Sequence, residues 1–144
     1  VAGHVIKLLL EKGYLVRGTV RKLANKKGYE HLLDLANAST NLSLFEADNT
    51  VAGSFKEAMT GCDGLIHTAS PFFHETDDMT EEYLREALIK PAVEGTKSAL
   101  QTAADCGVKK VVLTSSVAAI WGSQRTKNPK HVYTEDDWND IEKV

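Results

Sequence analysis

The sequence predicts an α/β chain laid on a parallel, doubly wound sheet. Two observations carry that prediction. Segments of helical period alternate with short β-rich runs along the 144 residues, and two of the helical segments stop at a glycine, Gly13 and Gly107. No repeat and no low-complexity linker interrupts the alternation.

Each element has a local signal. Val1, Val5, Leu8 and Leu9 share one helical face, which Lys12-Gly13 closes. Leu15 to Val20 is a β-rich run, and the polar stretch that follows it leads into a weak helix from His31 to Ala36. Leu42-Ser43-Leu44-Phe45 reads as a strand. Ser54 to Met59 reads as a short helix capped by Ser54, with Glu57 three residues on completing a capping box. Gly61 to Gly64 turns into the strand Leu65 to Thr68. The longest helix is expected from Asp77-Asp78 to Asp105, kinked or broken at Pro91, which has no backbone donor. Lys109 to Thr114 is the most apolar strand; beyond Ser115 the chain reads as irregular and polar, with a turn at Asn128-Pro129.

Composition removes several function classes. Seventeen basic against twenty acidic side chains leave a net charge of −3, so no polycationic field exists to hold nucleic acid. The longest apolar runs, such as Leu8-Leu9-Leu10, are far too short to span a membrane. Cys62 and Cys106 lie 44 residues apart without metal-type spacing, which suits a reducing, cytoplasmic setting.

Parallel sheets of this kind bind ligands beyond the carboxyl ends of their strands. That location gathers Arg21, Asp48, the segment from His67 to Pro71, and Ser115-Ser116. A cation at Arg21 or Lys22 suits a phosphate, because guanidinium pairs bidentately with phosphate oxygens, and Lys26 and Lys27 add charge. The alternative is a solvated basic loop. Asp48 with Asn49 offers hydrogen bonds to an adenine amine, or Asp48 only bonds local amides in a turn. The small residues after Ile66 let backbone and hydroxyl groups approach a ribose or pyrophosphate. His67, on an apolar strand, reads as a core histidine. His74, Glu75, Asp77 and Asp78 have metal-like chemistry, but acids at a helix start are better explained by its dipole, so no metal site is expected. A hydroxyl after the last strand, at Ser115 or Ser116, can polarise a substrate carbonyl. A serine hydrolase would need a G-x-S-x-G elbow, and none occurs.

Taken together, Val1-Ala2-Gly3-His4, Thr19-Val20-Arg21, Ala47-Asp48, His67-Thr68-Ala69-Ser70-Pro71, Pro91-Ala92-Val93-Glu94-Gly95-Thr96, Val111-Val112-Leu113-Thr114-Ser115-Ser116 and Glu135-Asp136-Asp137-Trp138 resemble the extended short-chain dehydrogenase/reductases. Their order and spacing are closest to the group of dihydroflavonol reductases and cinnamoyl-CoA reductases. The resemblance implies a Rossmann-type fold and NADP(H) as cofactor. It implies that Ala2 and Gly3 end the pyrophosphate-binding loop, that Arg21 and Lys27 meet the 2′-phosphate, and that Asp48 and Asn49 meet adenine. Thr68 and Ala69 would lie along the cofactor, Ser116 would be the catalytic serine, and Trp121 would line the substrate pocket. The reaction implied is hydride transfer to the carbonyl of an aldehyde, ketone or thioester.

Two alternatives stand beside it: a non-catalytic dinucleotide-binding or sensor protein, and a sugar-nucleotide epimerase or hydroxysteroid dehydrogenase of the same fold. The family's proton-donating Tyr-x-x-x-Lys motif is expected beyond Val144; Tyr133 is followed four positions later by Asp137 and does not match it. Residues 1–144 are therefore expected to be a partial NADP-binding domain of a longer protein, with the first strand and most of the substrate domain missing. That first strand would lie centrally, between the strands at Leu15 and Leu65, and its place would leave a gap with two exposed edges.

Overall fold

Ala2–Glu11 forms the first helix, α1, and buries Leu10 completely. The computed structural model describes residues 1–72, 79–121 and 130–139, and the chain divides into two units, Val1–Val112 and Leu113–Val144. Within the first unit α1 ends as its sequence requires. Gly13 takes φ 80° while its N–H bonds Leu10 O and that of Tyr14 bonds Leu9 O, a left-handed glycine cap. Gly107 (φ 70°) ends the last long helix in the same way, with Val108 N bonded to Ala103 O.

Strand β1 (Val16–Val20) pairs in parallel with β2 (Leu42–Glu46), in the register Val16↔Leu42 to Val20↔Glu46. Between them lie a 3₁₀ turn at Lys26–Gly28 and two four-residue helices, α2 (Glu30–Leu33) and α3 (Ala38–Asn41). The helix expected from His31 to Ala36 is thus shorter, and α3 was not foreseen. Leu10, Val16 and Ala38 form the core here, flanked by Ile6, Leu9, Leu35 and Leu42.

After β2 come α4 (Lys56–Met59) and β3 (Gly64–His67). The expected capping box does not form. Phe55 occupies the cap position without a side-chain bond, while Ser54 Oγ turns back to the backbone of Asp48. Arg17 instead holds the other end of α4: its Nη1 donates to Thr60 O at 2.7 Å and Ala58 O at 3.4 Å, with the guanidinium 5.6 Å from the Phe45 ring centroid. A cation is favoured at carbonyls that a helix leaves unpaired.

The long helical stretch runs through α5 (Glu81–Leu84), a π-helical segment (Arg85–Ile89) and α6 (Lys90–Asp105). Thr80 caps it, its Oγ1 accepting Tyr83 N–H at 3.2 Å, so the described helix starts later than Asp77-Asp78, which lie outside the described residues along with His74 and Glu75. Pro91 does not break the helix. The missing N–H is absorbed by the widened π turn that precedes it, with Pro91 in the first turn of α6. Phe55, Met59, Ala99 and Ala103 pack a second core, with Ala47, Leu65, Cys106 and Val108 against it.

Strand β4 (Lys110–Leu113) pairs with β3. The sheet therefore exists as two pairs, β1-β2 and β3-β4, and no described strand joins β1 to β3. All four residues of β4 are exposed, including Val111 and Val112.

In the second unit, the stretch after Ser115 is not wholly irregular: Ala118–Trp121 forms a short helix, α7. Asp137 accepts Thr134 N–H at 2.8 Å and meets His131 Nε2 at 2.9 Å. The Thr134 amide, with the His131 ring beside it, holds the Asp137 carboxyl below the usual aspartate value. Tyr133 stacks edge-on to His131, with centroids 4.6 Å apart. Asn128-Pro129 lies outside the described residues.

Candidate functional site

The parallel register decides which side chains meet at the carboxyl ends of β1 and β2. Val20 lies opposite Glu46, and the ladder continues one step further through Ala47 N–H to Val20 O, 2.9 Å. Arg21 and Asp48 are the next side chains out, and they come within electrostatic reach of each other. The Thr50 amide, then the Thr50 hydroxyl, and the Arg21 charge hold the Asp48 carboxyl below its ordinary value. Asp48 Oδ1 accepts both Thr50 bonds, at 2.8 Å from the amide and 2.7 Å from the hydroxyl. Ser54 closes the loop from the other side, its Oγ donating to Asp48 O at 2.7 Å and accepting Asp48 N–H at 3.1 Å.

Arg21 itself is exposed, and among the described residues its guanidinium makes no hydrogen bond or close ion pair. Lys22 follows it, and Lys26 and Lys27 sit exposed on the 3₁₀ turn, so four cations line one loop. Leu23 anchors that loop. Its N–H donates to Glu46 Oε1 at 2.6 Å, and its carbonyl accepts the Tyr29 hydroxyl at 2.7 Å.

Asn49 does not extend beside Asp48. It packs over Gly95 of α6, where an added Cβ would lie 2.9 Å from Asn49 Cβ and 3.3 Å from Asn49 O. Only a residue without a side chain admits that approach. Asn49 Oδ1 is buried there without a hydrogen-bond partner among the described residues, an uncommon and costly state that marks an acceptor in need of a donor.

The other expected positions are distributed as follows. Ala2 and Gly3 open α1, and a Cβ on Gly3 would make only ordinary contacts with Leu32 and His31, so its neighbours do not demand glycine. Thr68 is half-buried and Ala69 exposed, directly after β3. His67 is 5% exposed, edge-on to Phe55, and burial lowers its pKa, as a neutral core histidine requires. Ser116, in the second unit, accepts Ala118 N–H on Oγ at 3.2 Å at the start of α7. Its hydroxyl proton remains available for donation. Trp121 ends the same helix.

The residues that sequence reasoning left without a role are Glu46, Tyr29 and Gly95. Gly95 carried a signal, since glycine inside a helix is otherwise unfavourable by about 1 kcal/mol. Glu46 and Tyr29 carried none, because each acts on a backbone group that only the folded register brings near.

Comparison with known proteins gives this arrangement a family. The profile of the 3-beta hydroxysteroid dehydrogenase/isomerase family matches residues 1–140. Dihydroflavonol 4-reductase of Callistephus chinensis is 41% identical over 143 residues, covering 99% of this chain and 37% of that protein. Cinnamoyl-CoA reductase 1 of Petunia hybrida is 42% identical over 140 residues, covering 97% and 39%. Among solved structures, vestitone reductase from alfalfa superposes with a TM-score of 0.71 at 32% identity, over 96% of this chain and 39% of that one. The chain thus spans well under half the length of these relatives, and its α/β pairs are those of a Rossmann-type reductase. It belongs to the 3-beta hydroxysteroid dehydrogenase/isomerase family, within the group that resembles dihydroflavonol and cinnamoyl-CoA reductases.

Proposed function

We propose that the whole protein is a cytoplasmic, NADP-dependent reductase that transfers hydride to the carbonyl of a small aldehyde, ketone or thioester. The observation that carries this reading is the exposed Arg21, without a hydrogen bond or close ion pair among the described residues and within electrostatic reach of Asp48, beyond the ends of two parallel strands. The residues fit a dinucleotide. A planar cation suits the 2′-phosphate, and the second oxygen of Asp48 can accept from the adenine amine, Oδ1 being engaged by Thr50. The orphaned acceptor of Asn49 is a further candidate partner for that end of the ligand. When bound, the nicotinamide supplies the hydride. Ser116 would donate a hydrogen bond from its hydroxyl to the carbonyl oxygen and polarise it, without giving up the proton, while Oγ stays fixed by Ala118 N–H. The reductase names of the relatives at 38–42% identity support carbonyl reduction over steroid oxidation, although the family profile bears the steroid name.

Arg21→Ala in the whole protein tests the cofactor assignment. The Kd for NADPH is expected to rise about 10- to 100-fold, and that for NADH to change less than about threefold. Equal losses for both would refute it.

A further inference from the structure

The basic loop poses a physical problem. Arg21, Lys22, Lys26 and Lys27 lie close in sequence and exposed, so their mutual repulsion favours a spread, mobile loop. A phosphate binding there would have to order several of these four long side chains and their backbone at once, which weakens binding.

The structure answers this at one residue, Leu23. Both of its backbone groups are held by side chains from outside the cationic run. Glu46, the last residue of β2, accepts its N–H at 2.6 Å, and the Tyr29 hydroxyl, ahead of α2, donates to its carbonyl at 2.7 Å. Charge-assisted bonding of a backbone amide to a carboxylate is among the stronger hydrogen bonds available to a loop.

We propose that Glu46 and Tyr29 are positioning residues for cofactor selection: by clamping Leu23 they hold the Arg21–Lys27 loop in the conformation that receives a 2′-phosphate. The inference rests on the NADP reading above. Neither residue touches the ligand; each acts through the Leu23 backbone.

The test uses the whole protein, with adenosine 2′,5′-bisphosphate and adenosine 5′-monophosphate as probes. Tyr29→Phe and Glu46→Ala should each weaken the bisphosphate about three- to tenfold and leave the monophosphate within about twofold. Glu46→Gln, whose amide carbonyl accepts the same bond, should restore bisphosphate affinity to within about twofold of the original. Hydrogen exchange at the Leu23 amide should quicken in Glu46→Ala, in the absence of any nucleotide. Equal loss for both probes, tighter bisphosphate binding in Glu46→Ala, or an unchanged Leu23 exchange rate would overturn the clamp. Arg21→Ala separates the two layers. If it lowers bisphosphate affinity selectively while Tyr29→Phe is silent, the clamp alone fails. If it shows no selectivity, the NADP reading fails and the clamp with it.

Discussion

The loop after β1 and the loop after β2 lie side by side at the same end of a two-stranded parallel ladder, yet they take their carboxylate acceptors from different places. The second is held mostly by itself: Asp48 bonds Thr50 two residues on, and Ser54 reaches back to both backbone groups of Asp48. Its one distant support is the bed that Gly95 offers to Asn49. The first loop, crowded with cations, also closes on local bonds, from Asn25 N–H to Lys22 O, from Gly28 N–H to Asn25 O and from the Tyr29 hydroxyl to Leu23 O, but the carboxylate that accepts Leu23 N–H comes from Glu46, 23 residues away. A loop of mixed polarity closes on local Asx-type bonds. The cationic loop, residues 21–28, carries no carboxylate of its own and takes one from the neighbouring strand.

The comparison can be broken most severely at Gly95. Gly95→Val should lower the unfolding free energy by about 3 kcal/mol, since even a Cβ would sit 2.9 Å from Asn49 Cβ, against α6 on one side and loop backbone on the other. Denaturant unfolding of the whole protein measures this; an unchanged midpoint would show that the loop is not seated on the helix. Ser54→Ala should cost less, about 1–2 kcal/mol, because it frees both backbone groups of Asp48 while leaving the Thr50 bonds. A loss shared equally by Thr50→Ala and Ser54→Ala would sharpen the picture, and no loss in Ser54→Ala would contradict it.

The smallest effect is the pH dependence of Asp48. Its folded pKa is lowered, so its contribution is complete above the unfolded value of about 3.9 and is lost as pH falls through the folded pKa. Stability measured from pH 5 downward should therefore decline less steeply in Asp48→Asn than in the parent, and identical slopes would remove the assigned cause.

Much of this was open to reading from local pattern. Helix α1 with its glycine stop, and all four strands, follow from periodicity and flanking residues. The four-residue helices α3 and α7 did not, because one turn is too short to display a period. The sequence favours Ser54 as a helix cap for a reason that holds at many helix starts, but the Asp48 backbone competes for the same hydroxyl and wins. Of the candidate site, the cation and carboxylate were visible as residue types after strands. Their adjacency was not.

What the sequence determined by itself is the alternation of elements and the chemistry at their ends, since φ/ψ preference, side-chain period and charge are properties of neighbouring residues. The tertiary structure alone decided that the Arg21 charge comes within electrostatic reach of Asp48, that Glu46 and Tyr29 share Leu23, and that Asn49 rests on Gly95. Each of these depends on strand register or helix docking, which join residues distant in the chain and leave no trace in local pattern.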